Sequence, residues 1–381
     1  MGRPLTVLQL LPALDAGGVE RSTLEIAQAL VRAGHRALVA SAGGRLLPEL
    51  EASGARHVRL DLGRKSPLVL RHVPALRALL AHERVDIVHA RSRLPAWVGH
   101  LALRGVPEAR RPRFVTTVHG LNSPSRYSAI MVRGDRVVCV SATVREHVLR
   151  HYPWVEPARL RVIPRGIDPD AFPLAPWPDA EARARVAALH PELGGEGPLL
   201  LMPGRGTRLK GHGDALRLLA SLRADGADAR LWLPGARDPA RAAYVAELEA
   251  GTAALGLTDA VAITPPTAAI ASAYAAADLV LQLSRKPEAF GRTVVEALSV
   301  GRPVAGWDHG GVGELLHELA PAGAVPAFDA AALATTAWSL LRQPPARPAT
   351  MRAAAAAYSL RAMQDATLEV YDELRADIPV R

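Results

Sequence analysis

The sequence predicts an α/β protein made of two Rossmann-like domains, each with a parallel sheet. Its 381 residues are enough for about two domains. Apolar runs of strand length alternate with helical patterns through both halves of the chain, which is typical of parallel sheets covered by helices. A glycine-containing loop follows the first strand of each half, at Gly17-Gly18 and at 204–211. Ligands of such sheets bind beyond the carboxyl ends of the strands, so these loops are candidate binding sites.

The first half begins with an apolar strand at 5–11, and a helix with apolar spacing follows the Gly17-Gly18 loop up to Gly34. Further strands are predicted at 37–40, 85–89, 114–118 and 136–140, and further helices at 66–82 and 142–151. Two of these strands end in polar residues, with Arg91 after one and His119 after the other.

The second half repeats the alternation after a proline-rich stretch at 169–178, which we interpret as a linker. Strands are predicted at 198–202, 230–233, 261–264, 279–283 and 303–307. Helices are predicted at 213–223, 239–255, 268–276, 292–300, 329–342 and 349–358, with one more after the glycine turn at 310–314. A last helical segment is predicted at 363–375.

Two carboxylates, Glu288 and Glu296, stand eight positions apart with Gly291 between them. A glycine at a loop-to-helix junction lets a ligand approach the backbone, and the free N–H groups of the helix start can bind an anion. Eight helical residues would rise about 12 Å. Taken alone, the spacing equally suits a surface helix with two solvated glutamates.

Three other stretches favour a binding site over a surface helix with solvated glutamates. Together with the Glu288…Glu296 pair, the chain resembles the retaining glycosyltransferases of family 4, which have the GT-B fold. The matching stretches are the glycine loop at 15–20, Val162-Ile-Pro-Arg-Gly-Ile-Asp168, and the Arg205…Lys210-Gly211 loop at 203–211. Arg165 stands where the family has asparagine, which adds charge at this position.

The resemblance implies two facing Rossmann-like domains with a cleft between them. It implies an acceptor-binding domain at 1–170, a nucleotide-sugar-binding domain at 171–362, and a C-terminal helix at 363–381 that packs back on the first domain. It also implies a retaining sugar transfer from a nucleotide-diphosphate sugar.

The site residues follow from the same resemblance. The catalytic candidates are Glu288, His119, Arg205 and Lys210. The donor-binding candidates are Gly17, Gly18, Arg205, Lys210, Glu288, Phe290, Gly291, Arg292 and Glu296. A guanidinium fork and an ammonium suit a diphosphate, while Glu288 is expected at the sugar hydroxyls and Glu296 at the ribose. No metal or other cofactor is expected, because the Asp168-Pro169-Asp170 pattern contains proline and lies at a domain junction.

Positive charge is concentrated in the first half of the chain, and this indicates what kind of acceptor the protein binds. Residues 1–170 hold 26 Lys and Arg against 14 Asp and Glu, a net +12, whereas residues 171–381 carry a net −3. We therefore expect an anionic or lipid-linked saccharide acceptor, with Arg91, Arg93, Arg126 and Arg133 as candidate ligands. A solvated basic surface is the alternative. Nucleic acid is disfavoured, since no binding motif is present and only 4% of the residues are aromatic.

The predicted function is sugar transfer in lipopolysaccharide or another bacterial envelope glycan. Two alternatives remain open: a nucleotide-sugar epimerase of the same architecture, and a non-catalytic nucleotide-sugar-binding protein. A dehydrogenase is disfavoured, because no G-x-G-x-x-G motif follows the first strand. The single cysteine, Cys139, and the lack of an 18-residue apolar run favour the cytoplasm. The basic segment 66–82 is either an inner-membrane contact or an ordinary packed helix.

Overall fold

The computed structural model describes residues 3–15, 17–64, 66–343, 352–353, 355–376 and 378. These residues form two compact units. Unit 1 contains the described residues up to Gly166 and those from Leu360 onward, and unit 2 is Ile167–Ser359. The corresponding boundaries drawn from the sequence lie at 170/171 and 362/363.

Unit 1 is built on a parallel sheet of seven strands in the order β3-β2-β1-β4-β5-β6-β7. The strands are β1 (Thr6–Leu10), β2 (Arg36–Ser41), β3 (Arg56–Arg59), β4 (Ile87–Ala90), β5 (Arg113–Val118), β6 (Arg136–Cys139) and β7 (Leu160–Val162). The helices are α1 (Gly18–Arg32), α2 (Leu47–Ala52), α3 (His72–His82), α4 (Arg93–Arg104) and α5 (Ala142–His151). The direction of winding reverses between β1 and β4, which is where such sheets bind ligands.

Unit 2 has a parallel sheet of six strands in the order β10-β9-β8-β11-β12-β13. The strands are β8 (Leu199–Leu201), β9 (Arg230–Pro234), β10 (Val261–Thr264), β11 (Leu279–Gln282), β12 (Val304–Trp307) and β13 (Ala324–Val325). The helices are α6 (Ala180–Leu189), α7 (His212–Ala224), α8 (Ala242–Ala254), α9 (Ile270–Ala276), α10 (Arg292–Val300), α11 (Gly310–Leu319) and α12 (Ala330–Arg342). Here the winding reverses between β8 and β11.

The last described helix, α13 (Leu360–Arg375), belongs to unit 1. Its apolar face contributes Met363, Val370, Tyr371 and Leu374 to the core of that unit. The Tyr371 hydroxyl also lies 2.7 Å from Nδ1 of the buried His89 on β4. The core of unit 1 is therefore completed by residues from the far end of the chain.

The α/β architecture with two Rossmann-like units confirms the predicted fold class. Some elements were missed by the sequence reading, namely α2, α4, α6, β3, β7 and β13. The segment 66–82 is not one helix, because a 3-10 helix at Pro67–Arg71 precedes α3. Four residues of the predicted helix at 349–358 lie outside the described residues, and of the other six, 352–353 and 355–356 are helical.

The proline-rich stretch 169–178 is fixed in place rather than being a free linker. It belongs to unit 2, where the buried Arg302 donates hydrogen bonds to the carbonyl oxygens of Ala175 at 3.4 Å and Pro176 at 2.5 Å. Prolines keep this stretch out of helices and sheets, which leaves its carbonyl groups free to accept from a side chain.

Candidate functional site

In unit 2, two loops meet where the winding of the sheet reverses. The loop after β8 carries Lys210, and the loop after β11 carries Glu288. The Nζ atom of Lys210 lies 2.6 Å from Oε1 of Glu288, and both side chains are about a quarter exposed (26% and 25%). The structure thus joins two of the predicted catalytic residues in one half-buried ion pair.

The Glu288 carboxylate has two further neighbours that sequence reasoning missed. The Ser284 hydroxyl donates to Oε1, and the Gln282 amide lies 3.4 Å from Oε2. Both residues are buried at the end of β11. A polar pair at a strand end beside a binding loop is the signal that could have identified them.

Arg205 lies on the same loop as Lys210 but in different surroundings. Its side chain is exposed, and no hydrogen bond or ion pair of that side chain is found within the ranges that the structure describes. The loop thus carries a half-buried cation and a solvent-facing one.

Gly291 stands between the Glu288 loop and α10 with φ at +119°, in the left-handed region that favours glycine. Phe290 beside it is only 5% exposed, and its ring centroid lies 5.9 Å from that of Tyr358. The Phe290 ring is therefore packed inside unit 2, so the side chain of this predicted donor-binding residue is not open to a ligand. Because α10 begins at Arg292, only part of the Glu288–Glu296 interval is helical, and the 12 Å rise expected for eight helical residues is wrong.

Glu296 is held from two sides on α10. Its Oε1 accepts a hydrogen bond from Nε of Arg292 at 2.9 Å, and its Oε2 accepts one from the Tyr274 hydroxyl at 2.8 Å. Tyr274 is fully buried, and burial, followed by the charge of Glu296, raises its pKa well above the ordinary value. The phenol therefore stays a donor. Tyr274 on α9 is a second site neighbour that the sequence did not indicate.

The start of α11 packs directly on the loop between Glu288 and Gly291. The N–H of Gly311 donates to the carbonyl oxygen of Glu288 at 2.7 Å. A Cβ atom at Gly311 would lie 2.6 Å from Cα of Phe290, so no larger residue fits without moving backbone. The glycine turn at 310–314 thus fixes the position of the loop 288–291, which we call the carboxylate loop.

Unit 1 has its own polar group at the carboxyl edge of its sheet. Arg165, which follows β7, donates to the carbonyl oxygen of Gly18 and to Nδ1 of His119 at 2.9 Å. Arg91, which follows β4, is only 3% exposed and donates to Ser22 Oγ at 2.5 Å. The predicted Gly18, His119 and Arg91 are thus near one another, and Gly17 caps α1 beside them.

Burial governs the charges of this group. It lowers the pKa of Arg91 to about 10, so that the guanidinium is protonated at neutral pH. Burial first, and then the neighbouring Arg165, holds the pKa of His119 well below its usual range. His119 is therefore a neutral imidazole at neutral pH.

The other three predicted acceptor arginines have separate surroundings. Arg93 starts α4 with its guanidinium carbon 5.3 Å from the Tyr127 ring centroid, and Arg133 lies 5.5 Å from the Trp154 ring centroid. Arg126 is exposed. Of the four arginines, only Arg91 lines the cavity beside His119 and Arg165.

Arg93 instead lines an open apolar groove on unit 1. The groove has a volume of about 780 Å³ and runs between the 3-10 helix Pro67–Arg71 and α4. Its other lining residues are Ser66, Pro67, Val69, Leu70, Leu94, Trp97, Leu101 and Tyr127. Leu70 and Tyr127 remain 47% and 44% exposed, so this apolar surface is open to solvent.

Neither a metal-binding cluster nor a membrane-spanning helix is found in the residues that the structure describes. Within them, no three His, Cys, Asp or Glu side chains are grouped so that they could hold a metal ion. In that same part of the chain, no helix combines the length and the hydropathy needed to cross a bilayer.

Comparison with known families matches both parts of the chain. The family described as Glycosyltransferase Family 4 matches residues 16–171, and the one described as Glycosyl transferases group 1 matches residues 190–358. The chain is 28% identical to a D-inositol 3-phosphate glycosyltransferase from Thermobispora bispora, over 94% of this chain and 90% of the relative.

Solved structures agree at the level of the fold. A glycosyltransferase from Rickettsia africae superposes with a TM-score of 0.87 at 29% identity, covering 98% of this chain and 99% of that one. The Anabaena protein HepE, solved in complex with UDP and glucose, superposes with a TM-score of 0.81 at 21% identity, covering 97% and 100%.

Proposed function

We propose that this chain transfers a sugar from a nucleotide-diphosphate sugar to a saccharide or lipid-linked acceptor with retention of anomeric configuration. The matches to a family 4 glycosyltransferase model in the first half and to a group 1 glycosyltransferase model in the second support this proposal. The observation that carries this proposal is the Lys210–Glu288 pair, which spans the point in unit 2 where the winding of the sheet reverses. Such crevices bind nucleotides in α/β proteins.

The donor diphosphate lies against Lys210, Arg205 and the first N–H groups of α10. Negative charge grows on the leaving diphosphate as its bond to the sugar breaks, and these cations and amides stabilise that charge. We propose that no metal is required, since the cations of this loop take its place.

Donor binding exchanges the partner of Lys210. A diphosphate carries more charge than one carboxylate and so displaces Glu288, which then accepts hydrogen bonds from sugar hydroxyls. Glu296 accepts from the ribose diol. Ser284 and Tyr274 hold the two carboxylates in position, so neither side chain has to be ordered when the donor arrives.

Retention follows from attack on the same face of the sugar as the leaving group. The acceptor oxygen forms a bond to the anomeric carbon, the bond from that carbon to the diphosphate oxygen breaks, and the departing phosphate takes the acceptor's proton. We propose this route because Glu288 is assigned to the sugar hydroxyls, and the described hydrogen-bond partners of its carboxylate are Lys210, Gln282 and Ser284, none of which is a carboxylate nucleophile.

The proposed acceptor is anionic and amphipathic, as in lipopolysaccharide or another envelope glycan. The net charge of +12 on residues 1–170 favours an anion. The apolar groove beside Arg93 suits a lipid chain with a charged head. The Thermobispora bispora relative is named for D-inositol 3-phosphate, an anionic compound. We propose that the protein works in the cytoplasm with peripheral contact to the inner membrane.

The test is incubation of the purified protein with labelled UDP-, GDP- and ADP-sugars and a lipid-linked oligosaccharide fraction. We expect label on the acceptor from one donor, with no loss of rate in EDTA, and the anomeric proton coupling of the product should match that of the donor. Isomerised donor would instead identify an epimerase, and binding without turnover would identify a non-catalytic protein. Partition of the protein into a membrane fraction, reversed by salt, tests the peripheral contact.

A further inference from the structure

A small cavity in unit 1 lies toward the carboxyl ends of β4, β5 and β6, where residues of α1 and α13 also line it. Arg91, His119 and Arg165 line it, together with Ser22 of α1. Its volume is about 20 Å³, which is room for one water-sized atom. The three cationic or imidazole side chains come from the ends of three different strands, so the parallel sheet itself brings them together.

Hydrogen-bond accounting shows which chemical group the cavity lacks. Arginine can only donate, so Nδ1 of His119, which faces Arg165 at 2.9 Å, must accept. The proton of the neutral imidazole is therefore on Nε2. That atom is buried without a partner, and so is Nε of Arg91. Two donors thus line one cavity with no acceptor for either in the described part of the chain.

The buried positive charge of Arg91 also favours an acceptor group in this cavity. Arg91 is 3% exposed, and among the described residues its guanidinium donates to the neutral hydroxyl of Ser22 rather than to a carboxylate. The groups that act on its charge are the acidic Glu25 of α1 and the phenol of Tyr371. The N-terminus of the 15-residue helix α1 adds positive potential beside Gly18. Burying a cation without a carboxylate in direct contact is unfavourable, so an anionic ligand would stabilise this arrangement.

We propose that this cavity is an anion subsite, in which Arg91, His119 and Arg165 bind one oxygen of a carboxylate or phosphate carried by the acceptor sugar. The inference rests on the proposed function, since it needs an acceptor. The donor diphosphate has its own cations on the unit 2 loop, whereas these residues belong to the more basic part of the chain. Arg165, which stands where the resembling family has asparagine, is then a specificity-determining residue.

The experiment measures binding of simple sugars to the full-length protein saturated with UDP. The UDP covers the loop of unit 2 that carries Lys210, so that anionic sugars cannot bind there. The probes are methyl glucuronide, with a carboxylate, glucose 6-phosphate, with a phosphate, and the neutral methyl glucoside. Charge-assisted hydrogen bonds predict that the wild type binds at least one anionic probe about tenfold or more tightly than the neutral one. The preferred probe then identifies the acidic group.

Four variants test the residues. Arg165→Asn and Arg91→Met should lose the preference for the anionic probe, and Arg165→Lys should keep part of it. Arg150→Asn removes the same charge from an exposed position on α5 and should keep all of it. Equal affinity of UDP in all four variants shows that they are folded.

Three outcomes overturn the inference. The first is equal binding of neutral and anionic probes by the wild type. The second is a preference that survives both Arg91→Met and Arg165→Asn. The third is a charge preference that appears only when the carboxylate is on the donor, as in UDP-glucuronate compared with UDP-glucose. Failure to bind or turn over any nucleotide sugar contradicts the proposed function instead. The sugar-binding assay, run without UDP on the wild type and the same four variants, then still decides the anion subsite.

Discussion

Lys210 and Glu288 neutralise each other at 2.6 Å, and each side chain thereby holds the other in place. The two residues come from loops that are far apart in the chain and meet only because β8 and β11 are neighbours in the sheet. Their contact is the residue-level basis of the proposed donor site.

Lys210→Ala should lower kcat by roughly 10²–10³-fold, because the ammonium stabilises charge that develops on the leaving diphosphate. The KM for the donor should change less, since Arg205 and the α10 amides remain. Steady-state kinetics with the identified donor measure both constants. Lys286→Ala removes an exposed lysine from the same unit and should leave both constants unchanged. A Lys210→Ala enzyme with wild-type kcat would show that its assigned role is wrong.

Glu296→Ala should chiefly raise the KM for the donor, because the ribose loses its acceptor. Tyr274→Phe removes the hydroxyl that holds Glu296 at 2.8 Å and should raise KM roughly tenfold, as expected for a hydrogen bond to a charged group. Since Tyr274 acts through Glu296, the double variant should resemble Glu296→Ala alone. Additive effects on KM in this double-mutant cycle would contradict the positioning role of Tyr274.

At the scale of elements, the sequence predicted the alternation of strands and helices because most strands are buried on both sides and are continuous apolar runs. Short edge strands such as β3 and β13 were not predicted, since edge strands carry no such apolar run. The glycine loops and Lys210, Glu288 and Glu296 were accessible as motifs. Ser284 was marked only by its place in a polar pair at the end of β11. Tyr274 was not marked at all, because nothing local indicates a buried hydroxyl whose partner is set by tertiary packing.

The packing of α11 on the carboxylate loop gives a prediction for one element pair. Gly311→Ala should destabilise unit 2 by about 1–3 kcal/mol, because the new Cβ would lie 2.6 Å from Cα of Phe290 and backbone must move. It should also lower turnover by displacing Glu288. Urea unfolding and steady-state kinetics measure the two effects.

Gly251→Ala is the matched control for that substitution. Gly251 lies within α8, and its added Cβ would find the nearest atom at 3.8 Å, an ordinary contact. Alanine in a helix interior should be neutral or stabilise by up to about 1 kcal/mol. If Gly311→Ala behaved like Gly251→Ala, close packing of α11 would not be what fixes the carboxylate loop.

For the molecule as a whole, unit 1 is assembled from both ends of the chain, whereas unit 2 is one continuous segment. The chain enters unit 2 at Ile167 and leaves it at Ser359, and these two residues pair as a β-bridge. Unit 2 thus has all its core residues within one stretch of sequence. Unit 1 lacks part of its core until α13 has been made.

Truncation after residue 359 should therefore unfold unit 1 and spare unit 2. It removes Met363, Val370, Tyr371 and Leu374 from the unit 1 core. Burial of four such side chains contributes about 6–12 kcal/mol, which is comparable to the roughly 5–15 kcal/mol that stabilises a whole domain. Limited proteolysis read by mass spectrometry should yield a resistant fragment near 167–359, and calorimetry should lose one transition. Glu369→Ala, on the exposed face of α13, should leave both transitions in place. Because His89 would also lose its Tyr371 partner, a truncated protein that kept both transitions would mean that α13 is not needed for the core of unit 1.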